Sequence, residues 1–267
     1  MENILKKIIN KKKEKIKLHK QKHHENILLD VIKNKKNFIN FKNKMIEINS
    51  KKKISIIAEI KKSSPSAGLI VNNFDHLNIA KSYIDNGAQF ISVLTEEDFF
   101  HGKLEYIKNI KDNYNIPILC KDFFIDTYQI SLAKSFGADC ILIILSAVDK
   151  VLANDLYQAA NDLNISTLIE VHTENEAEMA LSFENSIIGI NNRNLETFKV
   201  SLDISLKLSK ILKFHKQPLV CESGINSSSE VKYIVEKCDI RNFLIGESLL
   251  KSKNIGSKLK EFTQISL

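Results

Sequence analysis

The sequence predicts a single (β/α)8 barrel with an N-terminal helical extension, and three observations point there. From Ser55 onward, short β-branched runs alternate with polar segments of helical spacing, the pattern of parallel strands joined by helical crossovers. The runs number eight, the count that closes a barrel. The chain has 267 residues, 43% of them hydrophobic, which suits a barrel of about 250 residues and leaves no space for a second catalytic domain.

Residues 1–50 read as the extension and residues 51–267 as the barrel. Ile4, Leu5, Ile8 and Ile9 have helical spacing, and Ile27, Leu28, Val31 and Ile32 repeat it beyond a lysine-rich stretch. One or two helices packed on the barrel are expected, either plugging its bottom or covering its mouth. The strand runs follow as 55–61 (SIIAEIK), 90–96 (FISVLTE), 118–123 (ILCKDF), 140–146 (CILIILS), 167–172 (TLIEVH), 187–193 (IIGINNR), 218–224 (PLVCESG) and 242–248 (NFLIGES). Asn86-Gly87-Ala88 and Phe136-Gly137-Ala138-Asp139 precede the second and fourth runs, where a glycine ends a helix and turns the chain into the next strand.

Each run is apolar first and polar at its C-terminal end. Glu59 and Lys61, Thr95 and Glu96, Lys121, Ser146, Glu170 and His172, residues 191–193, Glu222 and Ser223, and Glu247 all fall there. In a barrel these ends meet at one mouth, the face on which barrel enzymes assemble their sites. Lys61 and Lys121 together with Glu59, Glu170 and Glu222 suit proton transfer, since neighbouring charges and burial move the pKa values of such groups. Asn191 and Arg193 add hydrogen-bond donors. Pro65 and Gly68 mark the first βα loop, Gly224 ends the seventh run and Gly246 lies in the eighth. Residues 223–227 (SGINS) and 245–248 (IGES) suit a phosphate group, because glycine lets backbone N–H groups approach an anion after strands seven and eight.

Composition narrows the function classes. Residues 1–53 carry 17 lysines against 5 acidic residues, leaving 22 basic and 27 acidic residues beyond them, so the net charge of +7 belongs to one segment. That segment has no Arg, the residue that reads phosphates and bases bidentately, and a solvated helix face accounts for it; no nucleic-acid partner is expected. Cys120, Cys140, Cys221 and Cys238 form no CxxC pair and the seven His no HExxH, so neither metal nor another cofactor is expected. The longest apolar runs are strand-length, far short of the roughly 20 residues that span a bilayer, and a cytoplasmic protein without membrane partner is expected.

The segments 56–68 (IIAEIKKSSPSAG), 92–102 (SVLTEEDFFHG), 117–130 (PILCKDFFIDTYQI), 168–176 (LIEVHTENE), 188–198 (IGINNRNLETF), 222–225 (ESGI) and 244–249 (LIGESL) occur in one order that resembles the indole-3-glycerol phosphate synthase family, from about residue 38 onward. The resemblance implies ring closure, decarboxylation and dehydration of 1-(2-carboxyphenylamino)-1-deoxy-D-ribulose 5-phosphate, an anilino-sugar phosphate, in tryptophan biosynthesis. It implies Lys121 as general acid, Glu170 as general base, Glu59 with Lys61 in the later dehydration or on the substrate carboxylate, and Asn191 and Ser223 as further catalytic positions. Ser64, Arg193, Glu222, Gly224, Gly246 and Glu247 fall at substrate-binding positions, with Gly224, Gly246 and Glu247 around the phosphate. Phe100, Phe123, Leu142 and Leu195 fall where the family lines its aromatic-ring pocket.

Two positions depart from the family: Ala67 stands where Lys or another polar residue is common, and Glu247 where many relatives have Ser, leaving the phosphate a backbone contact there. Desolvation and the second charge on Lys61 are expected to lower the Lys121 pKa. A monomer or weak homo-oligomer is expected. Two alternatives stay open: another phosphate-binding barrel, such as an isomerase or a Schiff-base aldolase using Lys61 or Lys121, and an RNA-associated protein using the lysine-rich segment.

Overall fold

The computed structural model describes residues 4–265; the outermost ends of the two predicted segments, 1–3 and 266–267, lie outside it. Eight parallel strands close a barrel: β1 (Ser55–Ile60), β2 (Phe90–Leu94), β3 (Ile118–Lys121), β4 (Cys140–Ile144), β5 (Ser166–Val171), β6 (Ile187–Asn191), β7 (Leu219–Glu222) and β8 (Asn242–Ile245). Each pairs with its sequence neighbours, and β8 closes on β1 in the register Ser55↔Asn242 to Ala58↔Ile245. The predicted runs overshoot their strands by one to three residues at the C-terminal end, because there the chain leaves the ladder to form the mouth.

Side chains alternate across the barrel wall. Ile56, Ala58 and Ile60 of β1 face outward into the layer of surrounding helices, whereas Ile57 joins Phe90, Leu119, Cys140, Leu168, Ile187 and Val220 in the barrel interior. The same inward rows end in Glu59, Lys121, Glu170, Asn191 and Glu222, so the interior is hydrocarbon below and charged above. The barrel helices are α4 (His76–Asp85), α5 (Leu104–Asn113), α6 (Tyr128–Phe136), α7 (Lys150–Asp162), α8 (Glu174–Ala180), α9 (Asp203–Ile211), α10 (Ser228–Cys238), α11 (Glu247–Leu250) and α12 (Ile255–Thr263). Polar caps start several of them: Asp75 accepts from Leu77 and Asn78 N–H, Asp149 from Leu152, and Ser227 with Glu230 forms a capping box on α10. Gly137, at φ 110°, ends α6 in the left-handed conformation that only glycine adopts freely, as its position before the fourth run predicted.

The N-terminal segment folds as three helices, one more than the largest number expected: α1 (Ile4–Lys22), α2 (Glu25–Asn34) and α3 (Phe41–Ser50). They do both jobs that the sequence left as alternatives. Helix α3 plugs the bottom, where Phe41 and Met45 are fully buried and the Phe41 ring lies 4.5 Å from Phe90 at the start of β2. Asp139, just before β4, accepts from Ile39 N–H and Ile118 N–H and pairs with buried Lys111 at 2.8 Å, tying the segment that leads into α3 to β3 and α5. Helix α1 lies across the mouth. The solvated basic face expected for it is only partly so: Lys12 is buried and pairs with Asp122 at 2.6 Å, Lys15 pairs with Glu97 at 2.6 Å and Lys20 with Asp126 at 2.7 Å. Among the described residues no helix is long and apolar enough to cross a membrane.

Candidate active site

The mouth encloses a cavity of about 400 Å³, and all sixteen site residues expected from the sequence line it. Its floor is built where inward rows end. The Lys121 ammonium lies 2.6 Å from Glu170 Oε2 and 2.8 Å from Glu222 Oε2, and Lys61 lies 2.6 Å from Glu59 Oε1. An ammonium has three donors, so Lys121 retains one N–H beyond these two bonds.

Two glycines make these carboxylates fit. A Cβ on Gly189 would lie 2.0 Å from Glu222 Oε1, and one on Gly246 would lie 2.5 Å from Glu59 Oε1 and 2.9 Å from Glu59 Cβ. The expected role of Gly246 as an anion cradle is therefore joined by a steric one that no motif reveals. Gly224 is different: its φ is +85° and a Cβ there would meet Val200 at 2.7 Å. Ser223 beside it also has positive φ, 63°, so the turn after β7 sets two successive residues in the left-handed region, at a cost for Ser223 and none for Gly224.

The electrostatics correct one expectation. Burial pulls the Lys121 ammonium down, but Glu170 and Glu222 outweigh it and hold its pKa well above the ordinary range, where a lowered value was expected. The reason is that Lys61 pairs with Glu59 instead of standing unpaired against Lys121, whose nearest charges are two anions. The two carboxylates around Lys121 are unequal. Burial raises both, yet Lys121 and His172 together carry Glu170 far below the usual carboxylate range, whereas burial and the neighbouring Glu170 push Glu222 up to about 7. His172 lies outside the cavity lining, with ring nitrogens 3.3 Å from Glu170 Oε1 and 3.4 Å from Glu176 Oε2. Those contacts are ion pairs without hydrogen-bond geometry.

The walls divide by chemistry. Phe100 and Phe123, ring centroids 6.2 Å apart, stand with Leu142 and Leu195 on the apolar side. Arg193, the Ser223–Gly224 turn, Gly246 and Glu247 form the polar side. Arg193 donates to Glu247 at 3.1 Å, and Lys251 holds the other oxygen of that carboxylate at 2.6 Å. The loop after β6 closes on itself, Asn194 accepting from Glu196 and Thr197 N–H, and so places Phe198 and Val200 at the rim. Sequence reasoning did not single out Phe198, Val200, Leu94, Ile144 or Leu244 as lining residues; apolar spacing marks them only as core. Ile4, Leu5 and Ile8 of α1 also reach the cavity, and their helical stripe was the available signal. Lys12 and Asp122 carried none. Among the described residues no group of three or more His, Cys, Asp or Glu is placed to hold a metal ion.

Paired lysines and carboxylates on the C-terminal face of a closed parallel barrel, under an apolar wall and an anion-suited turn, define an enzyme of the (β/α)8 class built for proton transfer. The sequence matches the family described as Indole-3-glycerol phosphate synthase over residues 5–262. A relative named indole-3-glycerol phosphate synthase from Legionella pneumophila (strain Lens) is 44% identical over 207 residues, 78% of this chain and 80% of its own. One of the same name from Endomicrobium trichonymphae is 42% identical over 231 residues, 86% of this chain and 87% of its own. The crystal structure of tryptophan synthase subunit alpha from Legionella pneumophila str. Paris shares the fold, with TM-score 0.61 and 11% identity across 83% of this chain and 96% of that one. The chain belongs to the indole-3-glycerol phosphate synthase family.

Proposed function

We propose that this chain converts 1-(2-carboxyphenylamino)-1-deoxy-D-ribulose 5-phosphate to indole-3-glycerol phosphate, CO2 and water, as a carboxy-lyase of tryptophan biosynthesis. The observation that carries the residue assignment is Lys121, set between Glu170 and Glu222 on the floor of a cavity with one aromatic and one anion-suited wall. The anthranilate ring lies against the wall that Phe100 and Phe123 form with Leu142 and Leu195. The phosphate meets backbone N–H groups at Ser223, Gly224, Gly246 and Glu247 and shares Arg193 with the Glu247 carboxylate. Ser64 and Asn191 hold polar groups of the sugar chain.

Ring closure joins the aryl carbon bearing the carboxylate to the ketone carbon. The carbonyl pair becomes an alkoxide, and the free N–H of Lys121 protonates it. Loss of CO2 returns its bonding pair to the ring and restores aromaticity. The hydroxyl then departs as water with a proton from the Lys61 ammonium, held by Glu59, while one of the two carboxylates that bracket Lys121, Glu170 or Glu222, removes a proton from the former C1 methylene. Two protons are given and one taken, so one is drawn from solvent per turnover. The N-terminal helices, residues 1–50, serve the barrel of residues 51–267 as cover and plug. The chain works in the cytoplasm as a monomer or weak homo-oligomer, with no nucleic-acid partner; the pairing of Lys12, Lys15 and Lys20 with carboxylates supports that last reading.

Incubation of the purified protein with the anilino-ribulose phosphate tests the activity directly. Indole fluorescence should rise with release of CO2, and a protein that leaves the compound unchanged would refute the assignment.

A further inference from the structure

We propose that Glu222 is a proton store that reloads Lys121, and that His172, anchored by Glu176, is the positioning residue that places the stored proton on Glu222 instead of Glu170. The inference rests on the reading of Lys121 as the acid of ring closure. Lys121 touches two carboxylates at nearly equal distances, 2.6 and 2.8 Å, and one ammonium neutralises only one of them. The Glu59–Lys61 pair is neutral by itself. His172 is the only further cation in contact with this floor among the described residues, and it touches Glu170 alone, backed on its other side by Glu176. With Lys121 and His172 charged and Glu170 and Glu176 ionised, the cluster is neutral when Glu222 holds a proton. Ionising Glu222 would leave one uncompensated anion in a buried site that must also accept a substrate bearing both a carboxylate and a phosphate.

The geometry of Glu222 agrees. Its Oε1 is buried with no hydrogen-bond partner and sits against the backbone of Gly189. Glu170 is met on both oxygens, by Lys121 and by His172. The groups facing Glu222 are Lys121 on β3, Glu170 on β5, Asn191 beside it on β6 and the protonated Cys140 thiol below; only Lys121 is cationic. The direction of the acid–base shifts follows the same order, His172 held cationic up to about 9 and Glu222 protonated up to about 7.

The step balances. Lys121 Nζ gives its proton to the alkoxide, a half-turn of the Glu222 carboxyl brings its proton to the neutral amine, and Lys121 is an ammonium again with Glu222 ionised. Glu222 is then the stronger base on the floor, because Glu170 stays locked by two cations. Removal of the C1 proton by Glu222 returns it to its starting state.

Selective ¹³C labelling of glutamate carboxyl groups, followed by NMR titration of the full chain without substrate, tests the store independently of turnover. One carboxyl should lose its proton near neutrality and be absent from Glu222→Gln, while the signal absent from Glu170→Gln stays ionised into acid. In His172→Gln the Glu170 midpoint should rise by about one pH unit or more, as expected for loss of a contacting cation. Glu176→Gln keeps the acceptor that holds His172 N–H and should move the His172 midpoint down and the Glu170 midpoint up, which covers a His172 variant that fails to fold. In turnover, kcat should fall on the alkaline side with a midpoint near neutrality, and that limb should vanish in Glu222→Gln. A near-neutral carboxyl that survives in Glu222→Gln, or a Glu170 midpoint indifferent to both His172→Gln and Glu176→Gln, overturns the proposal, whether or not the chain proves to be a synthase.

Discussion

Replacing Gly246 by Ala separates two roles that one glycine can play. Its φ is −131° and its ψ −64°, so it stands outside the left-handed region that favours glycine, and the effect of alanine is read from what the added methyl meets. The added methyl would stand 2.5 Å from Glu59 Oε1, 2.9 Å from its Cβ and 3.1 Å from its Cδ, and Glu59 is buried with Lys61 at 2.6 Å. Relieving those contacts needs a displacement of about 1 Å in the carboxylate or in the backbone of β8, and misplacement on that scale costs about a hundredfold in rate. Overpacking of this kind also costs about 1–3 kcal/mol of stability. The expected result is a kcat about a hundredfold lower, a modest fall in Tm and a KM changed by much less, read from the fluorescence assay and a thermal melt. If Gly246 acted only by admitting backbone to the phosphate, KM would rise and kcat would hold. An unchanged kcat with a raised KM would therefore refute the steric argument.

Lys121→Met keeps length and removes the proton; kcat should fall about a hundredfold or more, the scale of a lost general acid, with less effect on KM. Borohydride treatment should trap no substrate on Lys121, whereas an adduct found there by mass spectrometry would point to imine chemistry. Deleting residues 1–36 removes Ile4, Leu5, Ile8 and the Lys12–Asp122 pair from the mouth while keeping the α3 plug, so kcat/KM should drop in a protein that still folds by circular dichroism. An unchanged kcat/KM would reduce α1 to decoration. Stability should depend on pH through His172: its folded pKa is raised from 6.5 to about 9, so its contribution is complete below 6.5 and lost as pH rises toward 9. Glu222, raised from 4.5 to about 7, contributes the same sign between those values. Tm measured across pH 6.5 to 9 should fall, and should fall less in His172→Gln.

Eight runs of β-branched residues made the barrel legible, since a parallel sheet buried on both faces leaves a plain hydrophobic signature in each strand. The mouth was legible too, because polar residues at the end of an apolar run have few other reasons to be there. Partners were not. Spacing places Lys61 and Lys121 on one face but does not say that Glu59 takes one and two carboxylates bracket the other, and the direction of the Lys121 shift depends on that difference. Gly246 read only as a glycine that admits a phosphate to the backbone, because the side chain it clears is 187 residues away in sequence. Helix α3 carries Phe41 and Met45 as its only fully buried residues, too few for an amphipathic stripe to announce a plug. Lys12 sat in a run of lysines that reads as uniform solvated charge, and only Asp122, 110 residues on, distinguishes it.

The N-terminal segment has a consequence for the order in which the chain becomes structured. Its attachments reach Asp122, Ser135, Asp139, Ser166 and the Phe90 ring, all more than forty residues downstream and spread over the first five strands. None of these sites is in place until those strands have paired, so the first helices made dock only after the strands that follow them. Long loops must close before such contacts repay their entropy, and contacts of this separation slow folding. During synthesis the lysine-rich segment therefore emerges ahead of its binding surface, and its charge keeps it solvated while it waits. Its docking reports that the first half of the barrel has formed correctly, at the bottom through Phe41 and at the top through Lys12.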